Sequence, residues 1–148
     1  MTIPRDERTV QLLHRAVVPL DRVLQIADRV SGCSAAQLSA LGVIVYLKAT
    51  TLSALAAKER ISSPTASRIV DGLVRQGLVE RETDSRDRRA VRLSATEKGR
   101  VTVKSACDLR AARLMETLAG LSEEEWAALS VSAKALNRVF GYDRLVEG

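Results

Sequence analysis

Around residue 77 the chain changes its period, and that change restricts the available folds more than any other feature. From Ser63 to Gln76, the apolar residues Ala66, Ile69, Val70 and Leu73 recur at helical spacing and share one face. Serine at the cap with Pro64 at the first helical position is a strong start, because proline lacks the N–H that would be unpaired there. Gly77 stops the helix in the left-handed conformation that glycine takes without strain. Beyond it the alternation is twofold, so residues 78–82 and 90–93 read as two short strands. Between them Thr83-Asp84-Ser85-Arg86-Asp87-Arg88-Arg89 forms a polar loop. A well-capped helix is thus followed at once by a hairpin with an arginine-rich tip.

The flanks read as helices. The segment 9–30 carries two apolar stripes, Val10, Leu13, Val17, Leu20 and Leu24 on one side and Leu12, Ala16, Val23, Ile26 and Val30 on the other. A helix wet on one side needs one stripe, so the second implies burial against a partner chain. Pro19 is expected to kink or break this helix, and Gly32 closes the segment. Ser34 with Gln37 makes a capping box for a second helix, ended by Thr50 and Thr51, with Leu52 as a short extended link. Ser53 is the expected cap of a brief third helix, 54–60, anchored inward by Leu55, and the turn 61–63 follows. Ser94 with Glu97 reads as the capping box of a long helix to about Leu118. Ser122 with Glu125 opens a last helix with Trp126, Leu129, Ala133, Leu136 and Phe140 along one side, ended by Gly141.

Charge sharpens the picture. The 148 residues carry 23 basic and 18 acidic side chains, a net charge of +5. Residues 58–113 hold fourteen of the basic and eight of the acidic groups, whereas 114–148 are net acidic. A basic middle between neutral and acidic ends suggests a polyanion that meets one part of the fold, although a solvated basic surface has the same composition. No apolar run approaches the roughly 20 residues of a membrane span, and the polar N-terminal stretch fits neither a signal nor a transit peptide, so the expected location is cytoplasmic, without a membrane partner.

The helix and hairpin suit duplex DNA. A helix about 10–12 Å wide fits a major groove about 12 Å wide, and its first turn offers free N–H groups and a positive dipole end to phosphate. Ser62, Ser63, Thr65 and Ser67 are small polar residues that permit close approach, and Arg68 reaches phosphate or a guanine edge. The alternative for Thr65 and Ser67 is simple capping and solvation. Arg86, nearest the tip centre, is the candidate for a neighbouring minor groove, with Asp84 and Asp87 placed to hold its guanidinium. A solvated tip with a local Asp84 pair is the other reading. Arg88 and Arg89 suit backbone contacts or wing salt bridges.

Residues 52–99, above all DSRDRRAVRLSATEKG at 84–99, resemble the MarR family of dimeric bacterial transcription regulators. The family's Asp-x-Arg wing is matched by Asp84 and Arg86, the strand by Val91 and Leu93, and the start of the long helix by Ser94 and Glu97-Lys98-Gly99. The upstream segment LSALAAKERISSPTASRIVDGLVRQGLVER resembles the family's helix-turn-helix. The resemblance implies a mainly α fold: a winged helix-turn-helix with a small antiparallel β-hairpin wing and terminal dimerisation helices. It also implies one domain over 1–148, with 34–99 binding DNA and 1–33 and 100–148 dimerising. The implied protein is a homodimer on a pseudo-palindromic operator, a repressor released by a small-molecule effector near the junction of the two parts. The alternatives are a winged-helix protein-interaction module without operator binding and a thiol-based oxidant sensor.

For the thiol reading, Cys33 is the candidate, because it precedes a helix start that would lower its pKa, whereas Cys107 is expected to pack in mid-helix. His14 reads as an interface or core histidine, with a ligand contact as the alternative. One histidine and two cysteines are a poor basis for a metal site, and no cofactor is implied. Enzyme chemistry finds no support either. The sequence has no glycine-rich phosphate loop, no Gly-x-Ser-x-Gly elbow and no second histidine.

Overall fold

The computed structural model describes residues 6–83, 85 and 91–142. Helix α1 (Glu7–Asp28) is capped by Asp6, whose Oδ1 accepts the Thr9 N–H at 2.6 Å, and runs through Pro19 without a break. The expected interruption is absent for a simple reason. Arg15, whose carbonyl loses its helical donor, and Pro19 both lie on the exposed side of the helix, where the lost bond leaves no buried carbonyl. A 3-10 turn (Arg29–Ser31) and Gly32, at φ 72°, end the segment.

Helix α2 (Ala35–Tyr46) opens on the Ser34–Gln37 capping box. Leu52 is the first residue of α3 (Leu52–Glu59) rather than an extended link, and Thr51, not Ser53, caps it by accepting the Ala54 N–H at 3.1 Å. The extended link lies just before, where the Thr50 carbonyl accepts the Leu93 N–H at 2.8 Å. After Arg60, left-handed at φ 54°, comes α4 (Ser63–Arg75), with Ser62 as its cap. The cap stands one residue earlier than the Ser-Pro pair suggests, and proline sits in the first turn all the same. Gly77, at φ 70°, leads into β1 (Val79–Thr83), which pairs antiparallel with β2 (Val91–Ala95), Val79 opposite Ala95 and Thr83 opposite Val91.

Thr96, rather than Ser94, caps α5 (Glu97–Thr117). Its Oγ1 accepts the Gly99 N–H at 3.0 Å and donates to the Gly77 carbonyl at 2.6 Å, tying the helix start to the turn after α4. Helix α6 (Glu123–Val139) begins with the expected Ser122–Glu125 box.

The core lies between α2, α3, α4 and the root of the hairpin. Leu38, Leu41, Val43, Leu55, Val70, Leu73 and Val79 are fully buried there, and α5 adds Val103 and Ala106. Each large side chain so buried contributes about 1.5–3 kcal/mol relative to exposure. The ends differ. On α6, Leu129, Val131, Leu136, Val139 and Phe140 are exposed, as are Val10, Leu12, Leu13 and Val17 on α1. Helix α1 joins the rest chiefly along α5.

Candidate nucleic-acid interface

The first turn of α4 is built to face outward. Ser62 Oγ accepts the Thr65 N–H at 3.3 Å and lies 2.9 Å from Thr65 Oγ1, so the two hydroxyls share one network at the helix start. Ser62, Ser63, Pro64 and Arg68 are exposed, and Thr65 and Ser67 are half-buried. This follows from the apolar stripe, because Ala66, Val70 and Leu73 turn inward and leave positions 64 and 68 facing away. Arg68 borders an open groove shared with Ser34 and Gln37 from the start of α2. Gln37 can lie there because Gly72 has no side chain: a Cβ on Gly72 would stand 2.6 Å from Gln37 Nε2.

A contact that the sequence reading missed fixes the hairpin against this helix. Arg81, on β1, places Nη2 2.8 Å from Asp71 Oδ1 and donates to the Ser67 carbonyl at 3.4 Å. The only signal available was opposite charge on the outer face of α4 and on the strand after it. The wing strands thus start beside the exposed turn of α4. Arg86, Arg88, Arg89, Asp84 and Asp87 lie outside the described residues, so the structure places only the root of the wing.

The effector and thiol candidates separate. Cys33 is buried, and burial pushes its thiol up against a smaller opposing effect of the Ser31 hydrogen bond. Its Sγ donates to Gln76 Oε1 at 3.4 Å. The expected lowering at a helix start is therefore reversed, since loss of water outweighs the Ser31 hydrogen bond and the positive charge of Lys98. Cys107, expected to pack, is the exposed one. It borders a cavity of about 540 Å³ between α2 and α5, beside Tyr46. Burial raises the Tyr46 phenol, and the neighbouring Cys107 adds to the shift. Beneath this wall, Arg110 grips the buried Asp28 with two bonds, Nε to Oδ1 at 2.6 Å and Nη2 to Oδ2 at 2.8 Å. His14 is exposed on α1 and does not line the cavity. No group of acidic, histidine and cysteine side chains able to hold a metal occurs among the described residues.

Residues 33–91 match the model of the MarR family, which covers α2, α3, α4 and the hairpin as far as the first residue of β2. The HTH-type transcriptional regulator Mb0904 of Mycobacterium bovis is 37% identical over 120 residues, 81% of this chain and 84% of that protein. The chain belongs to the MarR family. Among MarR-family structures, wild-type MarR from E. coli in its apo form superposes with a TM-score of 0.77 at 25% identity, over 92% of this chain and 98% of the other. A mutant of E. coli MarR complexed with operator DNA superposes at 0.67 and 24% identity, over 88% and 94% of the two chains. This MarR-family chain is a winged helix-turn-helix transcriptional regulator, in keeping with the fold reached from its residues. Among the described residues, no helix is long and apolar enough to cross a membrane.

Proposed function

We propose that this regulator works as a cytoplasmic homodimer on a pseudo-palindromic operator and represses until a small-molecule effector releases it. The observation that carries the reading is the pairing of an exposed, serine-capped α4 with a wing root locked beside it by Arg81 and Asp71. In this reading residues 34–99 read the duplex. Ser62, Ser63, Thr65 and Ser67 approach the backbone, Arg68 enters the major groove, and Arg86 reaches the adjacent minor groove. Asp84 and Asp87 steady the tip, and Arg88 and Arg89 hold phosphates. The fold shared with a protein solved on its operator supports this geometry.

Segments 1–33 and 100–148 then form the dimer, and the apolar residues exposed on α6 and α1 supply the surface. Twofold symmetry would set two recognition helices about one DNA turn, roughly 34 Å, apart. The cavity between α2 and α5 is the effector site, because it lies where the reading head meets the dimer arm.

The test is footprinting on the DNA upstream of the protein's own gene, followed by a salt titration of the protected duplex. Affinity should fall steeply with salt, because phosphate contacts release counterions. Arg68→Ala and Arg86→Ala should each weaken binding by about 1–3 kcal/mol. A flat salt response with both variants unchanged would refute operator binding.

A further inference from the structure

Among the described residues, the left-handed conformation is taken by Gly32, Gly77 and Gly141, and by two others, Lys48 and Arg60. Glycine adopts it without strain, whereas a side chain crowds the following carbonyl oxygen. Both exceptions are cations, but their surroundings differ. Helix α2 has no basic residue in its last turn, so Lys48 just beyond it supplies the positive charge that a helix C-terminus favours. Helix α3 already carries Lys58 in its last turn. The dipole does not call for Arg60.

The backbone at position 60 is also held in place. The Arg60 N–H donates to the Ala57 carbonyl at 3.3 Å and the Ile61 N–H to the Ala56 carbonyl at 3.0 Å, a paired closure of a helix end in which glycine is the usual residue. Arg60 is exposed, and it forms no ion pair among the described residues. Glu59, the acid beside it in the chain, accepts instead from the Ser39 hydroxyl at 3.0 Å. A long cation is thus kept where the backbone disfavours any side chain, and no contact among the described residues accounts for it. Disfavoured conformations of this kind cluster at sites where the side chain has a function.

Its place in the fold says what it meets. Arg60 stands two residues before Ser62, so its Cα lies within about 7 Å of the cap of α4. The exposed hydroxyls of Ser62 and Ser63 and the positive end of that helix favour an anion at the same spot. We propose that Arg60 grips a phosphate of the operator backbone beside the entry of α4, and so sets the strength of binding without reading sequence. The proposal rests on the operator-binding reading above and adds a contact outside the residues that face base edges. A phosphate responds to the charge of the side chain, whereas guanine is read by the paired fork of the guanidinium, so such a contact is blind to sequence.

The experiment compares the full-length protein with Arg60→Asn, Arg60→Gly and Arg60→Lys by fluorescence anisotropy, on the footprinted duplex and on a scrambled duplex of equal length, from about 50 to 200 mM salt. Asparagine tolerates the left-handed conformation and carries no charge. Arg60→Asn and Arg60→Gly should weaken both duplexes alike, by about tenfold at the lower salt, and should flatten the slope of log affinity against log salt by about 1 for each protomer bound. Arg60→Lys should keep the slope and most of the affinity. In thermal unfolding without DNA, neither neutral variant should lower the midpoint, because both fit the backbone better than arginine. An unchanged slope in Arg60→Asn overturns the contact, as does an Arg60→Lys that binds no better than Arg60→Asn. A loss confined to the footprinted duplex would make Arg60 a reader of bases and overturn the phosphate role. A midpoint lowered in both neutral variants would make Arg60 a structural cap and overturn it too. A wild-type affinity indifferent to salt would instead refute operator binding itself, and this contact with it, so the two failures are told apart.

Discussion

Asp28 and Arg110 stand 82 positions apart in the chain, yet form its most deeply placed ion pair among the described residues. The fork of the guanidinium matches the carboxylate, and the hydrogen bonds to Asp28 raise the guanidinium further, outweighing its own loss of water. Removing one partner from a buried pair costs about 3–5 kcal/mol, mostly because the other is left uncompensated. Arg110→Met should therefore lower the unfolding free energy by about 3 kcal/mol, and adding Asp28→Leu should restore most of it. Urea denaturation at one fixed protein concentration measures both. A double variant no more stable than the single one would mean that the pair acts through something other than mutual neutralisation. Nothing in sequence spacing announces such a contact. The two cysteines depart from expectation for the same reason, since whether a mid-helix thiol packs depends on which neighbour covers it.

Elements were legible where their signals are local. The Ser34–Gln37 and Ser122–Glu125 boxes span four residues each, and the structure has both. Where two hydroxyls compete, tertiary contacts choose: Thr96 caps α5 instead of Ser94 and bonds the Gly77 carbonyl besides. The hairpin's existence followed from the twofold period, and its strands shift by one or two residues from the expected limits. At the candidate interface, the outward position of Arg68 came from helical spacing alone. Arg81 escaped notice because its partners lie on another element. The Glu-Lys-Gly that opens α5 also gains a physical reason, for a Cβ on Gly99 would run into the Leu78 carbonyl oxygen. Gly99→Ala should push the start of α5 away from the root of the wing and lower stability by about 2 kcal/mol. Thermal unfolding checks it, and an unchanged midpoint would show that the backbone yields without strain.

At the scale of the whole molecule, the chain divides its apolar residues unevenly. The reading head encloses its own, while α6 leaves Val139 76% exposed and Phe140 64% exposed. Single exposed apolar residues are ordinary, but rows of them on two helices, α1 and α6, mark an interaction surface. On the proposed dimer, Val139→Asp with Phe140→Asp should raise the dissociation constant about 100-fold, roughly 3 kcal/mol, and weaken operator binding with it. Analytical ultracentrifugation reads the first effect. A variant that stays dimeric would exclude the end of α6 from the contact.

Helix α5 connects these scales. Its 21 residues make a rod about 31 Å long, rooted by Thr96 and Gly99 next to the wing and bound by Arg110 to Asp28 at the end of α1. A tilt of about 10° at Arg110 would carry Gly99, about 17 Å along the helix, some 3 Å, close to the roughly 3.4 Å step between successive bases of one strand. A small rotation of this one helix, pivoting past Val103 and Ala106 in the core, would thus move the protein's grip by one rung of its ladder.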